Sequence, residues 1–180
     1  GIVDLDTEER IPLLEFPAYR SYSSWTWNPS LSWTSDGDFL ALTVHRPAAD
    51  GNDPEESPIF NLSILSVTGT YSADLALETG MWSVPQFSPD GSRRLYGRAK
   101  VPYQSATSLY TLHVIDRDGS NQVSVHPDEP DAMETPQWLW SPDGRAVAYI
   151  HHGDIYWSPM STGVAVPLTN EGNVQKVVWR

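Results

Sequence analysis

The sequence predicts an all-β protein made of repeated four-stranded antiparallel units, and three observations carry that prediction. A short cassette recurs as Trp33-Thr34-Ser35-Asp36-Gly37, Phe87-Ser88-Pro89-Asp90-Gly91 and Trp140-Ser141-Pro142-Asp143-Gly144, with its aspartates 54 and 53 residues apart. A fixed period of that size marks a repeat architecture. The 180 residues include 12 Gly and 15 Pro and are 11% aromatic. No stretch of helical length keeps apolar residues at i, i+3, i+4 and i+7, so short strands and tight turns are favoured. Finally, Phe39-Leu40-Ala41-Leu42 and Ala146-Val147-Ala148-Tyr149-Ile150 are apolar without the alternation that a sheet wet on one face would show. Four-stranded units stacked face to face around an axis cover both faces of such strands, and that arrangement is a β-propeller.

The cassette has the chemistry of a hairpin corner. Pro pre-sets φ at the first turn position, Asp bonds to backbone just ahead of it, and Gly takes the positive-φ position that closes the turn. Asp36, Gly37, Asp90, Gly91, Asp143 and Gly144 are therefore assigned a structural role, since a residue repeated in every unit serves the unit.

Taken in order, residues 1–19 read as the end of a unit. Residues 2–7 align with 112–117, which makes them a third strand, and 11–14 follow as a fourth. The first full unit covers about 30–77, with strands at 31–33, 39–45, 59–66 and 71–77. Its second and third strands are joined by a long loop rich in Pro and acidic residues, which belongs on the surface. The second unit covers about 84–126, with strands at 84–87, 94–99, 108–115 and 122–126. Arg93, Arg94 and Gly97 interrupt its apolar pattern. The third unit covers about 136–168, with strands at 137–140, 146–151, 154–158 and 165–168, and a tight turn at His152-Gly153 replaces the long loop. Residues 177–180 open a further first strand, with Trp179 placed as Trp140 was. The expectation is thus three complete blades plus partial blades at both ends. Leu62, Leu112 and Tyr156 each stand seven residues before a turn glycine, as equivalent core positions would.

The net charge of −12, with 11 scattered basic residues, argues against nucleic acid or an anionic membrane as partner, because both need Lys/Arg clusters. The absence of Cys excludes disulfides, thiolate catalysis and Cys-ligated metals, while leaving the compartment open. No apolar run is long enough to span a membrane, and the start lacks the basic flank and apolar stretch of a signal peptide, so any targeting segment is expected to be removed or to lie upstream.

Propeller topology puts the strand 1–2 and 3–4 turns on one face and the long loops on the other. Asp128, Glu129 and Asp131 fall with other acidic residues on the long-loop face, whereas Arg93, Arg117 and Arg145 fall on the tight-turn face. An acidic face would attract cations or a basic partner, with calcium at these loops as the cofactor to consider; acidic loops also simply keep a surface soluble. His45 and His151 end second strands and are candidates for lining the long-loop mouth. Adjacent histidines on one strand point to opposite faces, so His151 and His152 are not expected to share a metal ion. Trp25 and Trp27, in the connector before the first unit, either pack the blade junction or offer a stacking platform for a peptide or sugar. No Gly-x-Ser-x-Gly elbow and no Gly-rich phosphate loop is present, which leaves hydrolase and nucleotide chemistry without support.

The three cassettes resemble the TolB-type propeller repeat, in which an aromatic-Ser-Pro-Asp-Gly corner joins the first two strands of each blade. The first cassette departs from it by carrying Ser35 in place of Pro, and the blades are fewer than the family's usual six. The resemblance implies a periplasmic or secreted binding scaffold that is not itself an enzyme. Such a scaffold would engage a protein, peptide or glycan through its long-loop face or axial mouth, with further blades supplied by a longer chain or a second copy. The alternative it implies is the propeller of a prolyl-oligopeptidase-type serine peptidase whose catalytic domain lies elsewhere.

Overall fold

Fourteen short strands appear in the computed structural model, which describes residues 1–19, 27–47, 54–126, 133 and 137–179. Strands β3 (Leu31–Trp33), β4 (Phe39–Arg46), β5 (Ile59–Ser66) and β6 (Ser72–Ala76) form sheet 1. Strands β7 (Gln86–Phe87), β8 (Arg93–Ala99), β9 (Tyr110–Asp116) and β10 (Val123–His126) form sheet 2. Strands β11 (Trp138–Trp140), β12 (Ala146–His151), β13 (Asp154–Pro159) and β14 (Val166–Pro167) form sheet 3. In each sheet consecutive strands pair antiparallel in chain order, and β1 (Ile2–Val3) with β2 (Arg10–Ile11) makes a separate hairpin. Runs of adjacent antiparallel strands need only short connections, and the corner cassettes supply three of them.

Both faces of the middle strands of sheet 1 are covered, and every residue of β5 is buried. On β8 the side chains alternate between two neighbours. Tyr96, with Ile115 of β9, packs on Leu62, Leu75 and Ala76 of sheet 1. Leu95, with Leu112 and Val114, joins Trp138, Trp140, Val147 and Tyr149 of sheet 3. Sheet 2 is therefore sandwiched between the other two, and each buried aliphatic side chain contributes about 1.5–3 kcal/mol of transfer free energy. Ile2, Leu13, Leu14 and Phe16 lie against Leu40, Leu42, Val44 and Leu65, so the N-terminal segment covers the opposite face of sheet 1.

Tryptophan indoles tie one unit to the next. Trp138 Nε1 donates to the Val84 carbonyl at 3.0 Å and Trp140 Nε1 to that of Gln86 at 3.1 Å, while Gln86 Nε2 returns a bond to the Trp138 carbonyl at 2.8 Å. Gly97 takes its identity from the same junction. A Cβ at that position would lie 2.5 Å from Trp138 Cη2, so the indole rests on the bare backbone of β8.

Several elements differ from the sequence expectation. The second strand of the N-terminal hairpin is Arg10–Ile11 rather than residues 11–14, and Leu13 and Leu14 pack against sheet 1 instead. Strands β7 and β14 shorten to two residues each. Residues 177–179 form no strand: β-structure needs a ladder partner, and among the described residues no second strand lies beside them. Gln137 Nε2 does reach the Gln175 carbonyl at 2.8 Å, which holds the tail along the edge of sheet 3. Of the three equivalent core positions, Leu62 and Leu112 are fully buried, whereas Tyr156 is only partly buried, packed beside Tyr149 against the cluster that sheets 2 and 3 share.

Candidate functional site

The corner aspartates direct their carboxylates into their own turns. Ser88 Oγ donates to Asp90 Oδ1 at 2.5 Å, the Ser92 amide donates to the same oxygen at 3.1 Å, and the Arg93 amide donates to Ser88 Oγ at 3.0 Å. These bonds hold the Asp90 carboxyl down at about 2, with the Ser88 hydroxyl as the leading cause. Ser141, Asp143 and Arg145 repeat the arrangement at 2.6 and 3.0 Å. In the first cassette Thr34 takes the place of Ser, its Oγ1 accepting from the Phe39 amide at 3.0 Å, and the Asp38 amide bonds Asp36 Oδ1 at 3.0 Å. Gly37, Gly91 and Gly144 all have φ between 68° and 79°, the left-handed region their turns require.

Of the binding residues nominated from sequence, the three that the structure describes are all buried. His45 is buried rather than at a mouth. Its ring nitrogens meet the carbonyl oxygens of Pro17 at 2.9 Å and Ser57 at 2.5 Å, and its ring touches Tyr19 and Phe60. Trp27 is buried against Phe60 and Met81 and donates its indole N–H to the Met81 carbonyl at 3.0 Å, so it packs a junction and offers no stacking platform. His151 is buried at the end of β12. Its ring centroid lies 3.9 Å from that of His152, contrary to the alternation expected along a strand, because φ of +50° at His152 turns the chain and folds the second ring back. Among the described residues no group of three or more His, Asp or Glu side chains is placed to hold a metal. Trp25, Asp128, Glu129 and Asp131 lie outside the described residues.

A better-formed site lies on the opposite face, in the gap between the tight-turn ends of sheets 1 and 2. It is a cleft of about 550 Å³ whose walls include Phe39, Ile64 and Tyr71 from sheet 1 and Arg117 and Asp118 from the β9–β10 turn. Phe39 and Tyr71 meet edge to face at 6.5 Å, and the Arg117 guanidinium stands 5.4 Å over the Phe39 ring. Arg117 also lies 4.0 Å from the Asp36 carboxylate, with both side chains about half exposed. A second hollow adjoins across Arg117 and Asp118, reaching Asp90, Ser92 and Arg93. The tight-turn face thus mixes both signs of charge and is not a basic counterpart to the acidic loops.

Arg94 is the residue that sequence reading left unexplained, and it belongs to this gap. It shares its face of β8 with Tyr96, which packs on sheet 1, and its side chain is fully buried. The guanidinium carbon sits 4.6 Å over the Phe87 ring, and Nη1 donates to the Arg117 carbonyl at 2.9 Å and more weakly to that of Asp116 at 3.4 Å. Nε and Nη2 are buried with no hydrogen-bond partner. Burial pulls its pKa down to about 10, the Arg117 charge adds to the fall, and Tyr71 and Asp118 act against it. The signal available in the sequence was Arg93-Arg94 inside a strand that should have been apolar.

No family model matches the chain. Solved structures do: TolB from Acinetobacter baumannii superposes with a TM-score of 0.60 at 19% identity over 82% of this chain and 33% of its own. An oligogalacturonate lyase solved with manganese gives 0.58 at 19% identity over 93% of this chain and 46% of its own. A prolyl endopeptidase gives 0.56 at 18% identity over 78% of this chain and 21% of its own. The chain spans less than half the length of each of these proteins. At such identities the likeness is one of architecture, and the architecture is the TolB-type β-propeller fold.

Proposed function

We propose that this chain is part of a non-catalytic propeller scaffold that engages a protein, peptide or glycan, and that the cleft between sheets 1 and 2 is a place where it does so. The observation carrying the reading is the make-up of that cleft: an apolar wall of Phe39, Ile64 and Tyr71 faces Arg117 and Asp118 across an open volume of about 550 Å³. Concave, mainly apolar sites with a few convergent polar groups are the usual form of ligand pockets. In this reading the three sheets are blades of about 30–77, 84–126 and 136–168, flanked by partial blades at 1–19 and 177–180. The tail at 177–180 becomes a first strand once a second strand pairs with it, whether that strand comes from a longer chain or from another copy. A periplasmic or extracellular setting belongs to the same reading; no helix among the described residues is long and apolar enough to cross a membrane.

The test is a blocking variant. Thr70 is exposed on the cleft rim, so Thr70→Trp fills the opening; it gives up the hydroxyl contacts to Ser66 and Thr68 and should cost about 1 kcal/mol of stability, which leaves the fold intact. Peptides and oligosaccharides selected for binding to the parent chain should lose about tenfold or more in affinity for the variant, a loss of roughly 1.4 kcal/mol. Equal affinity for both proteins would remove the cleft as the site, and a selection that yields no binder would remove the scaffold reading itself.

A further inference from the structure

We propose that the cleft between sheets 1 and 2 takes a carboxylate, bound side-on by Arg94, with the apolar body of the same ligand lying against Phe39 and Tyr71. This rests on the reading of the cleft as a binding site and adds the chemistry of what enters it.

Arg94 keeps two donors unpaired. Nη1 is spent on the backbone carbonyls at the end of β9. The atoms left over, Nε and Nη2, form one edge of the planar guanidinium, and two parallel N–H groups on one edge match the two oxygens of a carboxylate. Stacking on Phe87 uses the flat face of the group and leaves that edge available in its plane. A buried cation with two unpaired donors is costly unless something completes it. Main-chain carbonyls satisfy only part of it, and no carboxylate hydrogen-bonds to it among the described residues.

The direction of the edge follows from the pleat. Arg94 and Tyr96 project from the same face of β8, and that face closes on sheet 1. The guanidinium is thus in the inter-sheet gap, behind the cleft wall, where it donates to the carbonyl of Arg117, whose own side chain lines the cleft. The side chains of Tyr71 and Arg117 are about half exposed. A shift of these rim side chains admits a ligand to the edge behind them. Arg117 then supplies a second cation at the mouth, while Asp38 and Asp118 disfavour ligands of higher negative charge such as phosphate dianions. A single carboxylate carried on an aromatic or aliphatic body fits this balance, as a peptide C-terminus or an acidic side chain beside an apolar residue would present it.

The probes are N-acetylphenylalanine and its uncharged amide, titrated into the ¹⁵N-labelled chain while the Nε–H resonances of Arg94 and Arg117 are followed. The acid should move the Arg94 Nε–H signal and bind about tenfold more tightly than the amide, the size expected of a charge-assisted fork. Arg94→Lys keeps the charge and loses the paired edge, so it should bring acid and amide to within about twofold of each other. Arg117→Ala should weaken the acid less than Arg94→Lys does. If acid and amide bind alike to the parent chain and both are blocked by Thr70→Trp, the cleft is a site but the carboxylate assignment fails. The assignment also fails if the acid binds without moving Arg94 Nε–H, or if neither probe binds while selected peptides still do. Because the parent chain alone supplies the resonance and the acid-to-amide comparison, a failure of Arg94→Lys to fold would leave the proposal open to refutation.

Discussion

Gly97 shows how a single residue registers a neighbour far away in the chain. In sequence it interrupts a strand and weakens it; in the fold it is the floor on which the Trp138 indole lies. Gly97→Ala should therefore destabilise the chain by about 1–3 kcal/mol through overpacking, despite Ala being the better strand residue on entropic grounds. Pairing it with Trp138→Leu should return part of that loss, because the two changes share one contact. Urea unfolding of the single and double variants measures this, and strictly additive effects would show that the glycine answers to something other than the indole. Arg94 makes the same point with charge. Its burial beside Phe87 is legible only when β7, β8 and β9 are seen side by side, since Phe87, Arg94 and Ile115 share one register position.

At the scale of an element, β9 carries a titration that ties sheet 2 to pH. His113 is stacked on Tyr96 at 5.6 Å and its Nε2 is 2.8 Å from Thr111 Oγ1. Burial, with a smaller contribution from Arg98, pulls its pKa from 6.5 down to about 4. Between those values the unfolded chain holds the proton and the folded chain does not, so stability rises with pH across the window and is lost as pH falls from 6.5 toward 4. Asp90, lowered from 3.8 to about 2, acts with the same sign further down, its contribution fading as pH falls below 3.8. His113→Gln should flatten the dependence between pH 6.5 and 4, measured as the change in urea midpoint at several pH values. An unchanged slope in the variant would assign the acid sensitivity to other groups. The strands themselves differ in how well sequence located them. β3, β5 and β12 lie where patterning and corner placed them. β7 and β14 are shorter: Pro85 has no N–H to give the ladder of β7, and past Pro167 a single bond from the Leu168 amide to the Ile155 carbonyl, at 2.7 Å, does not extend β14.

For the whole molecule, the decisive feature is an uncovered end. Sheet 2 has a neighbour on each face, while β14 and the tail beside sheet 3 expose Val166, Leu168, Val178 and Trp179, with Leu168 at 60% and Val178 at 59%. Apolar side chains left exposed in this way favour association. Light scattering during size exclusion should show a mass that rises above 20.1 kDa with concentration, and Val166→Lys combined with Leu168→Lys should hold it at the monomer value. A constant 20.1 kDa for the parent chain at every concentration would show that the exposed end is not sticky.

What the sequence determined alone is the repeat and its corners: the bonds among Ser88, Asp90 and Ser92, or Ser141, Asp143 and Arg145, span a few residues and need no distant partner. The two-sided apolar strands likewise announce stacked sheets, because burial on both faces removes alternation. The tertiary structure alone decided where the candidate site lies. Phe39, Tyr71, Arg94 and Arg117 come from two units and meet only because sheet 1 and sheet 2 face each other across a gap. It also turned His45 and Trp27 inward, since a side chain at a strand end or in a connector becomes surface or core according to what packs over it. Local hydrogen bonding is written in adjacent residues; convergence across a gap between sheets depends on how those sheets stack.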